Sequence, residues 1–153
     1  MLPMLEVGDR PPEFSLMDGR GKTHSLREFA GRTLVLYFYP KDDTPGCTIE
    51  ACEFRDAEKE IAARGAVLAG VSKDGPAAHE KFSKKYGLNF MLLCDPELSA
   101  IKAYESWGKK KFMGREFDGV LRNTFIIGPN GRIRRIFRGV VPKGHAAKVL
   151  ESI

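Results

Sequence analysis

The most constraining feature of this sequence is a short apolar run that stops at a proline and leads, through a loop, to a cysteine at a helix start. Residues 34–39 are apolar, rich in aromatic side chains and bounded by Pro40. The run is too short for a helix and lacks a 3.6-residue period, so it predicts a buried strand. The loop 41–46 is dense in turn formers, and from Cys47 apolar residues recur at helical spacing until Gly65, a suitable helix cap. The sequence therefore predicts a strand–loop–helix unit with Cys47 in the first helical turn.

A cysteine in this position is predicted to be a nucleophile. The free N–H groups and the positive end of the helix favour an anion, so a thiol there loses its proton more easily. Pro45 and Gly46 bring the loop backbone close to Cys47, and Thr44 can offer a hydroxyl to the thiolate or to a substrate oxygen. The alternative, a small buried apolar residue, is not typical of a cysteine that follows Thr-Pro-Gly. The arrangement suits a small substrate rich in oxygen.

Two further cysteines stand at irregular spacing, which does not indicate the disulfide framework of a secreted protein. On an ideal helix the Cα atoms of Cys47 and Cys52 would be roughly 8–9 Å apart and on different faces. This exceeds the limit of about 7 Å for a disulfide, so the first helical turns must unwind if the two are to pair. Cys94 ends a short apolar strand with nothing nearby to activate it, and we expect it to be packed and inert.

The length of 153 residues predicts one domain, spanning 1–153, because it suffices to bury a core without disulfides and no composition shift marks a linker. Residues 14–16 and 22–25 flank a glycine-rich turn and predict an N-terminal hairpin. Strands alternate with helices in the middle of the chain, as in a parallel strand–helix–strand unit. The other predicted elements are strands at 66–71, 90–93, 120–127 and 132–138, a helical turn at 98–104, a loop at 107–117, and helices at 76–86 and 143–153.

Composition and charge argue against membrane and nucleic-acid partners. Hydrophobic residues make up 42% and charged residues 29% of the chain, as in ordinary globular proteins. The longest apolar run falls far short of the roughly 20 residues that span a bilayer, so we expect no membrane association and a cytoplasmic location. The basic run 109–111 lies near Phe112 and Phe117, but the run is short and the net charge of +5 is modest for a nucleic-acid binder. We predict a solvated rim with the aromatic rings turned inward.

No metal site is predicted. The spacing of Cys47 and Cys52 is not the Cys-x-x-Cys of zinc sites or of thioredoxin-type oxidoreductases. The three histidines are scattered along the chain, at His24, His79 and His145. Of these, His24 is predicted to be a surface or capping residue.

A longer motif around the cysteine carries a resemblance to a known family. Pro40, Thr44 and Cys47 reproduce the Pro-x-x-x-Thr-x-x-Cys signature of the peroxiredoxins. The run Thr-Pro-Gly-Cys-Thr-Ile-Glu-Ala-Cys resembles the subgroup named for bacterioferritin comigratory protein, the Q-type peroxiredoxins. The similarity continues over nearly the whole chain, in 8–16, in 112–114 and in Arg122 within 119–127. This resemblance implies an α/β, thioredoxin-like fold with a central mixed sheet flanked by helices and an N-terminal β-hairpin.

The resemblance also implies a thiol-dependent peroxidase that reduces hydrogen peroxide and organic hydroperoxides. Cys47 would be the peroxidatic nucleophile and become a sulfenic acid, which Cys52 would resolve as an intramolecular disulfide. Thr44 and Arg122 would polarise the O–O bond, and Pro40 would shield the pocket from water. A dithiol such as thioredoxin would reset the pair, and no cofactor or metal is required because sulfur itself changes oxidation state. We expect a monomer or weak homodimer.

The residues alone leave alternatives open. Arg122 stands in a largely apolar run and could equally be an exposed edge residue, so only the resemblance places it beside Cys47. The Cys47–Cys52 pair could also serve a redox-sensing interaction module without significant turnover. A general disulfide oxidoreductase is a further alternative, which the five-residue spacing behind Thr-Pro-Gly disfavours.

Overall fold

The chain folds around a seven-stranded mixed sheet, seen in a computed structural model that describes residues 4–153. The strands of this sheet and of a separate hairpin are β1 (Ser15–Asp18), β2 (Thr23–Ser25), β3 (Thr33–Phe38), β4 (Ala66–Ser72), β5 (Met91–Cys94), β6 (Trp107–Phe112), β7 (Arg115–Val120), β8 (Thr124–Ile127) and β9 (Ile133–Phe137). The helices are α1 (Pro45–Ala63), α2 (Pro76–Tyr86), α3 (Ser99–Ala103) and α4 (His145–Glu151), with a 3₁₀ turn at Leu26–Phe29. Within the described range, none of the helices is both long and apolar enough to cross a membrane.

The strand order across the central sheet is β2-β1-β5-β4-β3-β8-β9. Strands β3, β4 and β5 run parallel, as the alternation of strands and helices predicts. Strands β1, β8 and β9 join this parallel centre in antiparallel pairs. The predicted mixed sheet is therefore confirmed, together with the N-terminal hairpin β1–β2 and the hairpin β8–β9.

Strand β3 is buried along its whole length because packed layers cover both faces of the sheet. Alternate residues of a strand point to opposite faces. Leu34, Leu36 and Phe38 belong to a core shared with α3 and the 3₁₀ turn. Val35 and Tyr37 belong to a second core shared with α1, α2 and α4. This double burial explains why the strand reads as one continuous apolar run.

Helix α1 begins and ends at the predicted signals. Thr44 is the N-cap with extended backbone angles, and Pro45 is the first helical residue, a position that suits its fixed φ. Arg64 is the C-cap, and Gly65 follows with φ +76°, the left-handed conformation that commonly closes a helix. Cys47 therefore lies in the first turn of α1, as predicted.

The predicted loop at 107–117 is wrong, because this segment forms most of the hairpin β6–β7. The two strands pair from Trp107 with Val120 down to the turn. Among residues 4–153 the hairpin makes no ladder with the central sheet, and most of its side chains are partly or fully exposed. The aromatic rings expected to turn inward are exposed instead, Phe112 by 68% and Phe117 by 47%.

The predicted strand 120–127 is interrupted, because β7 and β8 belong to different sheets. Residues 121–123 connect the two. The amide of Phe38, at the end of β3, donates to the carbonyl of Asn123 at 2.8 Å. Arg122 therefore lies in a connection beside the carboxyl end of β3, and not within a strand.

His24 is buried, which corrects its prediction as a surface or capping residue. Its Nε2 lies 2.7 Å from Oδ2 of Asp18, and its Nδ1 lies 3.0 Å from Oε2 of Glu28. Burial lowers the pKa of His24, but the hydrogen bonds to the two carboxylates outweigh this effect and raise it above its ordinary value. The residue joins the β1–β2 hairpin to the 3₁₀ turn, a packing that its local sequence does not reveal.

Candidate active site

Cys47 is the third residue of α1 and lies just beyond the carboxyl end of β3. Its side chain is only 2% exposed and packs in the core with Tyr37, Tyr39 and Phe54. The positive end of the helix favours an anion at this sulfur. Burial acts in the opposite direction, because a thiolate loses solvation in an apolar core. A reactive thiolate here therefore needs a polar partner.

Arg122 supplies that partner. Its Nη2 donates a hydrogen bond to Sγ of Cys47 at 3.3 Å, and its Nη1 donates to Oε1 of Glu50 at 2.7 Å. Burial lowers the pKa of Arg122, but Cys47 and Glu50 outweigh this effect and raise it above its ordinary value. The guanidinium is thus held as a cation against the sulfur, where it favours thiolate over thiol.

Strand pairing brings these two residues together across 75 positions of sequence. Strand β8 pairs antiparallel with β3, with Thr124 opposite Tyr37. This register places the connection that contains Arg122 beside the end of β3, from which the loop leads to Cys47. The amide of Val140 donates to the carbonyl of Arg122 at 2.8 Å and holds its backbone from the other side.

Gly46 allows the guanidinium to approach the first turn of α1. A Cβ atom at this position would lie 3.3 Å from Nη2 of Arg122 and 3.4 Å from Cγ of Pro142. The first of these contacts is tighter than ordinary van der Waals contact, so a side chain would require the guanidinium to shift by a few tenths of an ångström. The glycine of the Thr-Pro-Gly-Cys run therefore has a steric role in the site.

Glu50 is a member of the site that sequence reasoning missed. It is fully buried, its Oε1 accepts from Arg122, and its Oε2 has no hydrogen-bond partner among residues 4–153. Burial raises the pKa of Glu50 to about 7, although Arg122 opposes the rise. The carboxyl group therefore titrates near neutral pH beside the cation that faces Cys47. Its spacing of three residues from Cys47, which puts both on one helix face, was the available sequence signal.

Thr44 and Pro40 lie on the loop side of the site. The Thr44 hydroxyl donates to the carbonyl of Lys41 at 2.8 Å, so its proton is directed away from the sulfur. The expectation that it donates to the thiolate is corrected, and its lone pairs remain free to accept a hydrogen bond from a substrate O–H. Pro40 follows β3 and is half-buried. Its shielding of the pocket stays a prediction.

Cys52 lies on the same intact helix as Cys47, half-buried where Cys47 is buried. The two residues are five positions apart, and all three cysteines of the chain are free thiols. Cys94 ends β5, next to β4 and on the opposite side of β3 from β8. The structure thus groups Cys47 with Arg122, Thr44 and Glu50, and keeps Cys94 apart from them.

A separate polar cluster contains the residues best placed to hold a metal ion. Asp42, Asp74 and His79 each offer a ligand atom, and these atoms lie within 4.8 Å of one another. Both ring nitrogens of His79 are engaged, Nδ1 with Oδ2 of Asp42 at 2.6 Å and Nε2 with the carbonyl of Leu93 at 2.9 Å. Oδ2 of Asp74 accepts from the hydroxyl of Ser72 at 2.7 Å. The cluster therefore fits a closed hydrogen-bond network better than a metal centre.

Comparison with known proteins identifies the family. A model of the AhpC/TSA family matches residues 7–136. Peroxiredoxin Bcp of Bacillus subtilis is 42% identical over 149 residues, which cover 97% of this chain and 95% of that protein. Peroxiredoxin Bcp of Escherichia coli is 39% identical over 146 residues, which cover 95% of this chain and 94% of that protein.

Solved structures agree with the sequence relatives. Peroxiredoxin Q of Xylella fastidiosa matches with a TM-score of 0.92 at 33% identity, covering 98% of this chain and 96% of that one. The bacterioferritin comigratory protein of Xanthomonas campestris, studied for alkyl peroxide reduction, matches with a TM-score of 0.87 at 36% identity, covering 96% and 94%. The predicted thioredoxin-like fold is confirmed by these neighbours. The chain therefore belongs to the AhpC/TSA family and, within it, to the Bcp or Q-type peroxiredoxins, which are thiol peroxidases.

Proposed function

We propose that this protein reduces hydrogen peroxide and organic hydroperoxides with Cys47 as the nucleophile. The observation that carries the proposal is the hydrogen bond of 3.3 Å from the Arg122 guanidinium to Sγ of Cys47, at the start of a helix. A buried cysteine with a cation and a helix N-terminus facing its sulfur is equipped to exist as a thiolate. Arg122 is the only residue of the proposed set that lies far from Cys47 in sequence, so its position is the strongest support.

In the first step the Cys47 thiolate attacks the terminal oxygen of the peroxide and the O–O bond breaks. The sulfur gains that hydroxyl as a sulfenic acid and is oxidised, while the other oxygen leaves as alkoxide or hydroxide and takes up a proton. Negative charge develops on the departing oxygen, where Arg122 and the N–H groups of the first helical turn stabilise it. Thr44 accepts a hydrogen bond from the peroxide O–H and orients it, and Pro40 keeps water out.

In the second step the thiol of Cys52 attacks the sulfenic sulfur of Cys47, a disulfide forms and water leaves. The two side chains lie five residues apart on an intact helix, so the first turns of α1 must unwind before the sulfurs can meet. Thioredoxin or a similar dithiol then reduces the disulfide by exchange and is itself oxidised. The half-buried position of Cys52 supports this role, because a local opening of the helix exposes it.

We place the whole cycle in one domain spanning 1–153 and in the cytoplasm. Cys47 and Cys52 lie on α1, and Arg122 lies in the connection that leads into β8 of the central sheet. Three cysteines, an odd number, fit a compartment where thiols stay reduced and a dithiol reductant is available.

Turnover and disulfide mapping test the proposal. The full-length protein is given peroxide with thioredoxin, thioredoxin reductase and NADPH, and the oxidation of NADPH is followed. We expect repeated turnover, and a Cys47–Cys52 disulfide as the main product when mass spectrometry follows addition of one equivalent of peroxide. One stoichiometric oxidation without recycling by any dithiol would instead indicate a redox-sensing module.

A further inference from the structure

Asp42 ties the loop before Cys47 to the body of the protein. Its side chain is 6% exposed, and its two oxygens have different partners. Oδ1 accepts from the hydroxyl of Tyr39 at 2.5 Å, and Oδ2 faces Nδ1 of His79 at 2.6 Å. Its backbone amide donates to Oδ2 of Asp74 at 2.9 Å. The loop is thus held through side chain and backbone, five residues before Cys47.

His79, on α2, is the other half of this link. Its side chain is completely buried. The carbonyl of Leu93 can only accept, so Nε2 carries a proton and donates to it at 2.9 Å. Nδ1 and Oδ2 of Asp42 lie 2.6 Å apart, so a second proton lies between them. Whether the nitrogen or the oxygen carries it, a hydrogen bond joins the two residues. Removal of either partner leaves a buried polar group without its hydrogen bond, which is strongly unfavourable.

A neighbouring contact between the loop and α2 is weaker. Asp43 adopts φ +58°, and its carboxylate accepts from Nζ of Lys85 and from the hydroxyl of Tyr86, each at 2.7 Å. The side chains of Lys85 and Asp43 are 53% and 37% exposed, where ion pairs contribute little. The Asp42–His79 contact is buried and the Asp43–Lys85 contact is exposed, so the first holds the loop more strongly.

We propose that the Asp42–His79 pair is a positioning device that fixes the upstream end of the segment that unwinds during disulfide formation. Thr44, the N-cap of α1, stands two residues after Asp42. The pair keeps Thr44 and the start of α1 in place for peroxide reduction, and it confines the later opening to residues that follow Thr44. This inference rests on the proposed peroxidase cycle.

Loss of the pair has opposite effects on the two chemical steps. Peroxide reduction needs Thr44, Cys47 and Arg122 in place together, so a loose loop slows it. Disulfide formation needs the first turns of α1 open, so a loose loop speeds it. A purely structural role would lower the free energy of unfolding without this opposite change.

Rapid mixing of the full chain with hydrogen peroxide, followed by alkylation and mass spectrometry, measures the two rate constants separately. His79→Phe keeps a flat aromatic ring, somewhat larger than the imidazole, and removes both hydrogen bonds of the imidazole. Asp42→Leu keeps the approximate shape of the side chain and removes the acceptors for His79 and Tyr39. His24→Phe is the matched control, because it removes another buried histidine held by carboxylates, on β2, which β1, β5 and β4 separate from β3.

We expect both pair variants to slow peroxide reduction by about tenfold and to speed disulfide formation by about twofold or more. Amide exchange across 41–46 should rise in their reduced forms. His24→Phe should lose stability yet leave both rate constants within about twofold of the parent. Equal slowing of the two steps, or no change in either, overturns the positioning role. If His79→Phe does not fold, Asp42→Leu decides, and a parent without turnover overturns the proposed function instead.

Discussion

Cys47 and Cys94 are almost equally buried, at 2% and 6% exposure, yet they face charges of opposite sign. The Arg122 guanidinium lies 3.3 Å from the sulfur of Cys47. At Cys94, burial raises the pKa of the thiol to about 11, and the carboxylates of Asp42 and Asp18 add to the rise. One thiol therefore has a cation that favours its ionised form, and the other has anions that oppose ionisation.

Both sulfurs are buried, and what differs between them is the sign of the charge that faces each one. Electrostatic interactions are stronger away from bulk water, so one neighbouring charge has a large effect in either direction. The sheet keeps the two environments apart. Arg122 reaches the site from the β8 side of β3, whereas Cys94 lies on β5, beyond β4 on the other side.

The largest expected effect comes from removing the sulfur that Arg122 faces. Cys47→Ser should abolish peroxidase turnover and leave the fold intact, because a hydroxyl is too weakly acidic to replace the thiolate. The coupled thioredoxin assay measures turnover, and circular dichroism checks the fold. Retained turnover would show that the cation beside Cys47 does not mark the nucleophile.

The next test asks whether Cys94 can take over from Cys52. Cys52→Ser should consume the first equivalent of peroxide, accumulate sulfenic acid and then over-oxidise, because Cys94 is held as a thiol elsewhere in the fold. Mass spectrometry at increasing peroxide follows these products. A Cys47–Cys94 disulfide with normal turnover would show that Cys94 is reactive and can replace Cys52.

Oxidation of the parent protein tests whether Cys52 is the resolving residue, because pairing with Cys47 requires α1 to open. Disulfide formation requires α1 to open near its start, so amide exchange across 48–55 should be faster in the oxidised form. Strands β3 and β8 should exchange at unchanged rates. A helix equally protected in both forms would exclude Cys52 as the resolving residue.

Removing the cation itself should have an intermediate effect. Arg122→Ala should slow peroxide reduction by at least about tenfold, roughly 1.4 kcal/mol on the barrier, because the sulfur loses the group that favours its thiolate. Thr44→Val should do the same through the lost acceptor for the peroxide O–H. Single-turnover mixing measures the rate, and parent-like rates in both variants would disprove the pocket.

The buried carboxyl group of Glu50, which contacts Arg122, should make the stability of the protein depend on pH. Its folded pKa of about 7 lies above the ordinary 4.5, so from pH 4.5 to 7 the folded protein binds more protons than the unfolded chain. The free energy of unfolding must therefore fall as pH rises through this window. Glu50→Gln lacks this ionisation. Between pH 4.5 and 7 its free energy of unfolding should therefore rise by up to about 3 kcal/mol relative to that of the parent. Urea unfolding at both ends of the window measures the difference, and a pH-independent difference would contradict the buried ionisation.

The smallest effect is expected at Cys94. Cys94→Ala should leave turnover within about twofold of the parent, since the thiol takes no part in the proposed cycle. Its stability should drop modestly, because a small buried group is lost from the end of β5. A large loss of turnover with an unchanged free energy of unfolding would give Cys94 a role that its surroundings do not support.

The sequence by itself determined the strand–loop–helix unit and the elements with strong local signals. The bounds of α2, Pro76–Tyr86, match the predicted 76–86, and the first turn of α1 holds Cys47 as expected. Proline at the first helical position and glycine with positive φ after the last turn act within a few residues, so they are readable without tertiary structure. The peroxiredoxin signature lies within this local unit.

Only the tertiary structure decided which charges face each buried group. Arg122 meets Cys47 through the pairing of β3 with β8, and the buried histidines His24 and His79 find carboxylates on neighbouring elements. The hairpin β6–β7 was missed because it lacks the one-sided burial that marks a strand in sequence. Each of these features depends on sheet order and register, which join residues far apart in the chain. No local spacing of apolar or charged residues encodes that order, and so, the family resemblance aside, the residues alone did not reveal which charge faces each cysteine.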